Sequence, residues 1–265
     1  MIGLKLLLLL AVLAAGALGG ALPLSRGGEV RAGRFLSWGN ALTAGVFLGT
    51  GLIHMLPDAV EAWTKLGWHY PMAFLLAALA FVMMLLFEHV LLPEHAHEAV
   101  HAPSSERFGP PGDPGRGSLT AYAVLTALSV HSLLAGLALG VVPDLAGALV
   151  IFLAILAHKS TEGFALGVSL VRNAMPRRRA WGLLAIFAVA TPLGGLAGAA
   201  FGAQVEGPTR LVLEATFLAL AAGTFAYVAT LDILRDELLE PGGRWTKWLC
   251  VSAGTGAMGL LAIWV

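Results

Sequence analysis

Apolar residues along this chain come in long unbroken runs, and the polar residues gather in the short stretches between them. A helix needs about 20 mainly apolar residues to cross a bilayer. Eight stretches qualify, near 2–22, 39–60, 71–92, 119–142, 146–171, 180–203, 211–234 and 245–265. They are too long and too uniformly apolar for barrel strands, and backbone polar groups in lipid must be paired within their own segment. The predicted fold is therefore all-α, a polytopic membrane protein of eight transmembrane helices forming one domain over residues 1–265. The first stretch, with Lys5 ahead of a leucine run and small residues up to Ala21, also has the form of a secretory signal peptide. Another span follows it after a short loop, so retention as the first helix is the simpler reading.

Composition agrees. Hydrophobic residues make up 58% of the chain and charged residues 12%, against roughly 25% charged in a soluble domain, and the mean hydropathy is +0.82. Sixteen Lys+Arg cancel sixteen Asp+Glu, which leaves no basic field for nucleic acid. One cysteine, Cys250, excludes an intrachain disulfide framework and a clustered thiolate site, so His and carboxylate are the available strong metal ligands. Alternate loops differ in charge. One side holds Arg26, Arg31, Arg34, Arg172, Arg177, Arg178 and Arg179 among others, and the opposite side only Lys5, Lys65 and Arg210. That bias places both termini outside the cytosol, in a protein of the inner or plasma membrane.

The chemistry lies in a repeat. Residues 131–140 and 158–167 both read H-x-x-x-x-G-x-A-L-G, in the fourth and fifth helices. The turn around Pro143 and Asp144 is short, so the two helices form an inverted pair, the arrangement in which transporters place substrate near the bilayer midplane. His131 and His158 each lie twelve residues into their stretches, a depth of about 18 Å. Glu162 follows His158 by four positions and shares its helix face, so three N/O donors can converge between two helices. One buried histidine alone is more often a hydrogen-bonding residue between helices. Two at matching repeat positions, with a costly intramembrane carboxylate one turn away, point to a ligand site. Gly136, Gly140, Gly163 and Gly167 read as close-contact residues that open this contact, and Gly194, Gly198 and Gly202 as a smooth face of the sixth helix. Such faces are compatible with a homodimer.

In the second helix His54 and Asp58 share a face, with Glu61 nearby, and together they could conduct a cation inward from the outer mouth. Asp58 can equally be a helix cap after Pro57. Glu88 and His89 could form an exit relay, or be ordinary interfacial residues. The segment 93–118 holds His95, His97 and His101 among acids, prolines and glycines; it reads as a cytosolic loop that either binds metal weakly or is merely a solvated linker.

These residues resemble the ZIP (Zrt/Irt-like) family of divalent-metal transporters. Gly45 through Ala59 is similar to the family's second helix, the two repeated segments to its fourth and fifth, Thr191-Pro192-Leu193-Gly194 to its sixth, and Ala222 through Val228 to its seventh. His131-Ser132 and His158-Lys159 resemble the branch that includes the mammalian plasma-membrane zinc importers. The resemblance implies transport toward the cytosol, a site built from helices 4 and 5, often with two adjacent metals, and in some members an elevator-like movement of one helix group. Carried over by position, His131, His158 and Glu162 are metal ligands and His54 lies in the pathway beside them. Asp58, Glu61, Ser132 and Lys159 are assigned to that pathway.

Two departures matter. The family's helix 4 carboxylate is Ala135 here, and a second-metal ligand position is Lys159. A fixed ammonium there would repel a second cation and neutralise Glu162, giving a single-metal centre; a lysine that changes protonation would instead couple metal to proton movement. The expected cargo is Zn²⁺, and a site of this composition also admits Fe²⁺, Mn²⁺ or Cd²⁺. No G-x-x-x-x-G-K-[ST] segment exists to drive transport with ATP. The chain is read as a transporter and not an enzyme. The alternatives are an intramembrane zinc hydrolase with Glu162 as base, and a metal sensor without flux.

Overall fold

The structure is a computed structural model of the chain, and it describes residues 2–25, 33–91, 114–239 and 242–264. Among the described residues every regular element is helical. The eight helices are α1 (Ile2–Ser25), α2 (Arg34–Lys65), α3 (Met72–Leu86, continuing through Phe87–Leu91), α4 (Pro114–Val141), α5 (Leu145–Arg172), α6 (Arg177–Gly202), α7 (Pro208–Leu239) and α8 (Arg244–Leu261). Six of them are by themselves long and apolar enough to cross a membrane, all but α3 and α8. Several run past the apolar stretches that predicted them. Hydropathy marks the part of a helix that lies in lipid, whereas backbone hydrogen bonding continues through charged turns such as Asp58–Lys65 and Arg235–Leu239.

Among the described residues three helices carry π-turns, at Thr50–Met55 in α2, Phe87–Leu91 in α3 and Val228–Leu234 in α7. The one in α2 has a local cause. Pro57 lacks an N–H, and its ring would strike the carbonyl of the preceding turn, so the helix widens ahead of it. Such widened turns collect at functional sites, and this one carries His54.

The helices associate in two groups. In the first, α4 packs on α6, α1 on α5, and α1 on α6; in the second, α8 packs on α2 and α7 on α3. The groups meet along α4 with α7 and α2 with α5. Glycines set the close contacts, since lipid gives little hydrophobic drive to bring helices together and van der Waals contact has to do it. A Cβ on Gly163 would collide with the Gly16 carbonyl oxygen of α1, and one on Gly136 with the Thr191 carbonyl oxygen of α6. The repeat glycines therefore do not open the contact between α4 and α5, as the sequence suggested. Gly136 and Gly140 seat α4 on α6, and Gly163 and Gly167 seat α5 on α1. The error lay in choosing the neighbour, because helices joined by a short turn need not present their small residues to each other.

One buried polar knot joins the two groups. Glu237 of α7 is fully buried. It pairs with Arg172 of α5 (Nη1–Oε1 2.6 Å), accepts from Ser37 Oγ (2.6 Å) and Asn40 Nδ2 (3.0 Å) of α2, and lies 3.9 Å from Lys247 Nζ of α8. Lys247 also donates to the Glu237 carbonyl oxygen (2.5 Å). Trp38, Trp181, Trp245 and Trp248 stand exposed near the starts of α2, α6 and α8, and Trp68, Tyr70 and Trp264 beyond the ends of α2 and α8, as in an aromatic belt at each membrane surface.

Candidate metal centre

His131 on α4 and His158 and Glu162 on α5 come together as the sequence predicted. Each offers a ligand atom within 4.8 Å of the others, and among the described residues they are the one such group of three His, Cys, Asp or Glu side chains. All three are buried. Spacing by four puts His158 and Glu162 on one face of α5, with His158 Nε2 at 3.4 Å from Glu162 Oε1. His131 Nε2 approaches the same oxygen to 3.8 Å from α4.

Neither Nε2 has a hydrogen-bond partner. Leaving such atoms unmade inside a protein is costly, and a cation between them and Oε1 would satisfy both at once. Two imidazole nitrogens and a carboxylate oxygen form a donor set suited to Zn²⁺.

The second oxygen of Glu162 is held differently. Oε2 accepts from Ser132 Oγ (2.8 Å) and from Lys159 Nζ (2.8 Å), and Lys159 Nζ donates in addition to Ser132 Oγ (2.6 Å). The ammonium lies 4.1 Å from the centre of the Phe187 ring of α6. Gly16 of α1 leaves room for its stem, since a Cβ there would come 3.1 Å from Lys159 Cε. Lys159 and Ser132 thus hold one side of the carboxylate while the other faces the two histidines.

On its far side His131 is held by α7. Nδ1 lies 3.0 Å from the Ala221 carbonyl oxygen. A carbonyl only accepts, so the ring proton sits on Nδ1 and the lone pair of the neutral ring on Nε2, toward Glu162. Phe225 stacks on the His131 ring with centroids 3.4 Å apart, and its other neighbours are Phe47, stacked at 4.5 Å, and His158, edge-on at 5.1 Å. Sequence reasoning assigns no role to Ala221, Thr224 or Phe225. A threonine or phenylalanine in an apolar helix carries no signature of its own, and similarity of the 222–228 segment to a family was the one pointer to it.

His54 stands outside the group of three. It is buried in the π-turn of α2, with Nδ1 3.3 Å from Asp58 Oδ2 one turn on. Glu61 is at the surface, paired with Lys65 at 2.7 Å. Glu88 is buried and accepts from Tyr227 Oη of α7 (2.5 Å). His95, His97 and His101 lie outside the described residues.

With this geometry in view, comparison with known proteins is specific. The sequence profile described as ZIP Zinc transporter matches residues 2–262. Human zinc transporter ZIP2 is 31% identical over 259 residues, covering 84% of this chain and 84% of that protein. Human zinc transporter ZIP1 is 29% identical, covering 86% of this chain and 78% of that protein. The Fe(2+) transport protein 1 of Arabidopsis thaliana is 27% identical, covering 83% and 73%. Eight helices, a profile match across the bundle and these relatives leave one assignment: the chain belongs to the ZIP zinc transporter family.

Proposed function

We propose that this integral membrane protein carries Zn²⁺ toward the cytosol, with His131, His158 and Glu162 as the ligands that hold the ion in transit. The observation that carries this reading is the convergence of two buried, unpartnered Nε2 atoms on Glu162 Oε1. Relatives named as zinc transporters support the cargo, and a relative named for Fe(2+) supports a site that admits a second divalent metal. As a member of a transporter family the chain moves ions and is not an enzyme.

The route begins at Asp58 and His54, whose pairing offers a negative and an imidazole group ahead of the centre. Asp58 and Glu61 attract the hydrated ion, His54 takes it up, and the three ligands receive it. Lys159 occupies the side of Glu162 where a second metal would sit, so the centre holds one ion. Passage follows from movement of the group containing α4 and α5 against the group containing α7, along the boundary where His131 meets Phe225. The arginine-rich loops face the cytosol, and both termini lie on the other side. The glycines that were compatible with a homodimer are used inside the chain, between α4 and α6 and between α5 and α1.

The test is uptake of radioactive zinc into sealed proteoliposomes carrying the intact chain, beside folded His131→Ala, His158→Ala and Glu162→Ala variants. Saturable uptake by the parent and its loss in all three variants is the expected result. Zinc bound by the parent but not moved, under a proton gradient of either sign, would leave a sensor and overturn the transporter. Uptake retained in all three variants would move the route elsewhere.

A further inference from the structure

Thr224 of α7 sits beside the metal centre without belonging to it. Its Oγ1 lies 3.0 Å from His131 Nδ1, and the same hydroxyl donates to the Ala221 carbonyl oxygen at 2.7 Å. Threonines in apolar helices commonly donate back to a carbonyl of the preceding turn, and that bond alone would make Thr224 self-satisfied. It does not account for the imidazole. The hydroxyl has one proton, and that proton is committed to Ala221, so the oxygen presents only lone pairs to Nδ1. His131 Nδ1 therefore faces two acceptors at equal distance, the carbonyl and the hydroxyl. The alternative tautomer, with its proton on Nε2, would set a ring lone pair against both of them.

We propose that Thr224 is a positioning residue of the metal centre: together with the Ala221 carbonyl it fixes the tautomer and ring angle of His131 and so keeps the Nε2 lone pair turned toward Glu162. The inference rests on His131 being a ligand, as proposed above. It adds a physical link between affinity and conformation. His131 belongs to the helix group of α1, α4, α5 and α6, and Thr224 to the group of α2, α3, α7 and α8. The fixing contact therefore crosses the boundary between the groups. His131 is preset to bind while α4 is docked on α7, and loses both of its Nδ1 acceptors when the two helices part. Partners that orient a histidine ligand from behind commonly change metal affinity by about 10–100-fold when removed.

Thr224→Val keeps the side-chain shape and removes the hydroxyl, whereas Thr224→Ser keeps the hydroxyl and removes the methyl group. The intact chain in detergent micelles is titrated with Co²⁺, whose visible absorption reports nitrogen and oxygen ligation, and the bound Co²⁺ is displaced with Zn²⁺. Thr224→Val is expected to weaken binding on the order of 10-fold and to alter the Co²⁺ spectrum, while Thr224→Ser stays close to the parent. In proteoliposomes Thr224→Val raises the KM for zinc more than it lowers the maximal rate. A Thr224→Val variant that binds Co²⁺ like the parent overturns the proposal, and so does an equal loss in Val and Ser variants that both melt like the parent. A parent that shows no Co²⁺ spectrum at all removes the metal centre itself, and the inference falls with it. Parent binding with an unaffected valine variant removes the inference alone.

Discussion

Lys159 Nζ lies 2.8 Å from Glu162 Oε2, while Oε1 of the same carboxylate lies 3.4 Å from His158 Nε2. One carboxylate thus serves a fixed cation on one side and faces the proposed position of a mobile one on the other. On the proposed function, Lys159 supplies the positive charge that lets Glu162 be buried in the metal-free protein. Removing one partner of a buried pair costs about 3–5 kcal/mol, because the other is left uncompensated. Lys159→Met should therefore lower the thermal stability of the metal-free protein by about that amount and regain a disproportionate share on addition of zinc, which replaces the lost charge. Thermal unfolding in detergent with chelator and with zinc checks this. Equal melting of parent and variant with chelator would show that the ammonium does not support Glu162.

His54 and Asp58 are separate from the three central donors. Asp58→Asn should raise the KM for zinc uptake several-fold, as expected for a group that gathers cations at the mouth. Equilibrium binding at the centre should remain as in the parent. A fall in central affinity that matches the rise in KM would place Asp58 within the site.

Close helix contacts make a sharp comparison between two glycines. An added Cβ at Gly163 meets the backbone oxygen of Gly16, and backbone cannot swing aside as a side chain can, whereas one at Gly182 has nothing within 4 Å. Gly163→Ala should lose about 1–3 kcal/mol or fail to assemble. Gly182→Ala should keep or slightly raise stability. Melting curves of the two variants decide it.

Arg172 and Glu237 invite a double-mutant cycle. Either single replacement, Arg172→Met or Glu237→Gln, removes one charge of the pair at the boundary of the helix groups. The pair should lose less than the sum of the singles, by more than about 1 kcal/mol. Additive losses would mean that Ser37, Asn40 and Lys247 satisfy Glu237 without the arginine.

What could be read from the sequence divides along physical lines. His131, His158 and Glu162 were legible because helix geometry converts spacing and depth directly into proximity. The helices were legible because lipid demands long apolar runs. Which helix lies beside which was not legible: Gly163 reveals that something comes close, and nothing in the repeat reveals that it is Gly16 of α1. The π-turn around His54 was hidden because a shifted hydrogen-bond register leaves hydropathy unchanged. Thr224 and Phe225 were hidden because their roles come from a ring supplied by another helix. Arg172 counts in the sequence as a loop charge that sets orientation, and it proves to be engaged by Glu237.

The Glu237 knot also bears on how such a chain can be made. Helices enter the membrane in the order of synthesis, N-terminal first. When Glu237 emerges, Ser37, Asn40 and Arg172 have already been made, and Lys247 follows within the next helix. The acid thus arrives with three of its partners already waiting, and Lys247 of the following helix completes its burial. Lys159 and Glu162, three residues apart, need no such delay, because they neutralise each other as α5 itself is being inserted. A circular permutant that began beyond Arg172 would reverse the first sequence and leave the second intact, presenting Glu237 to the bilayer before its arginine exists.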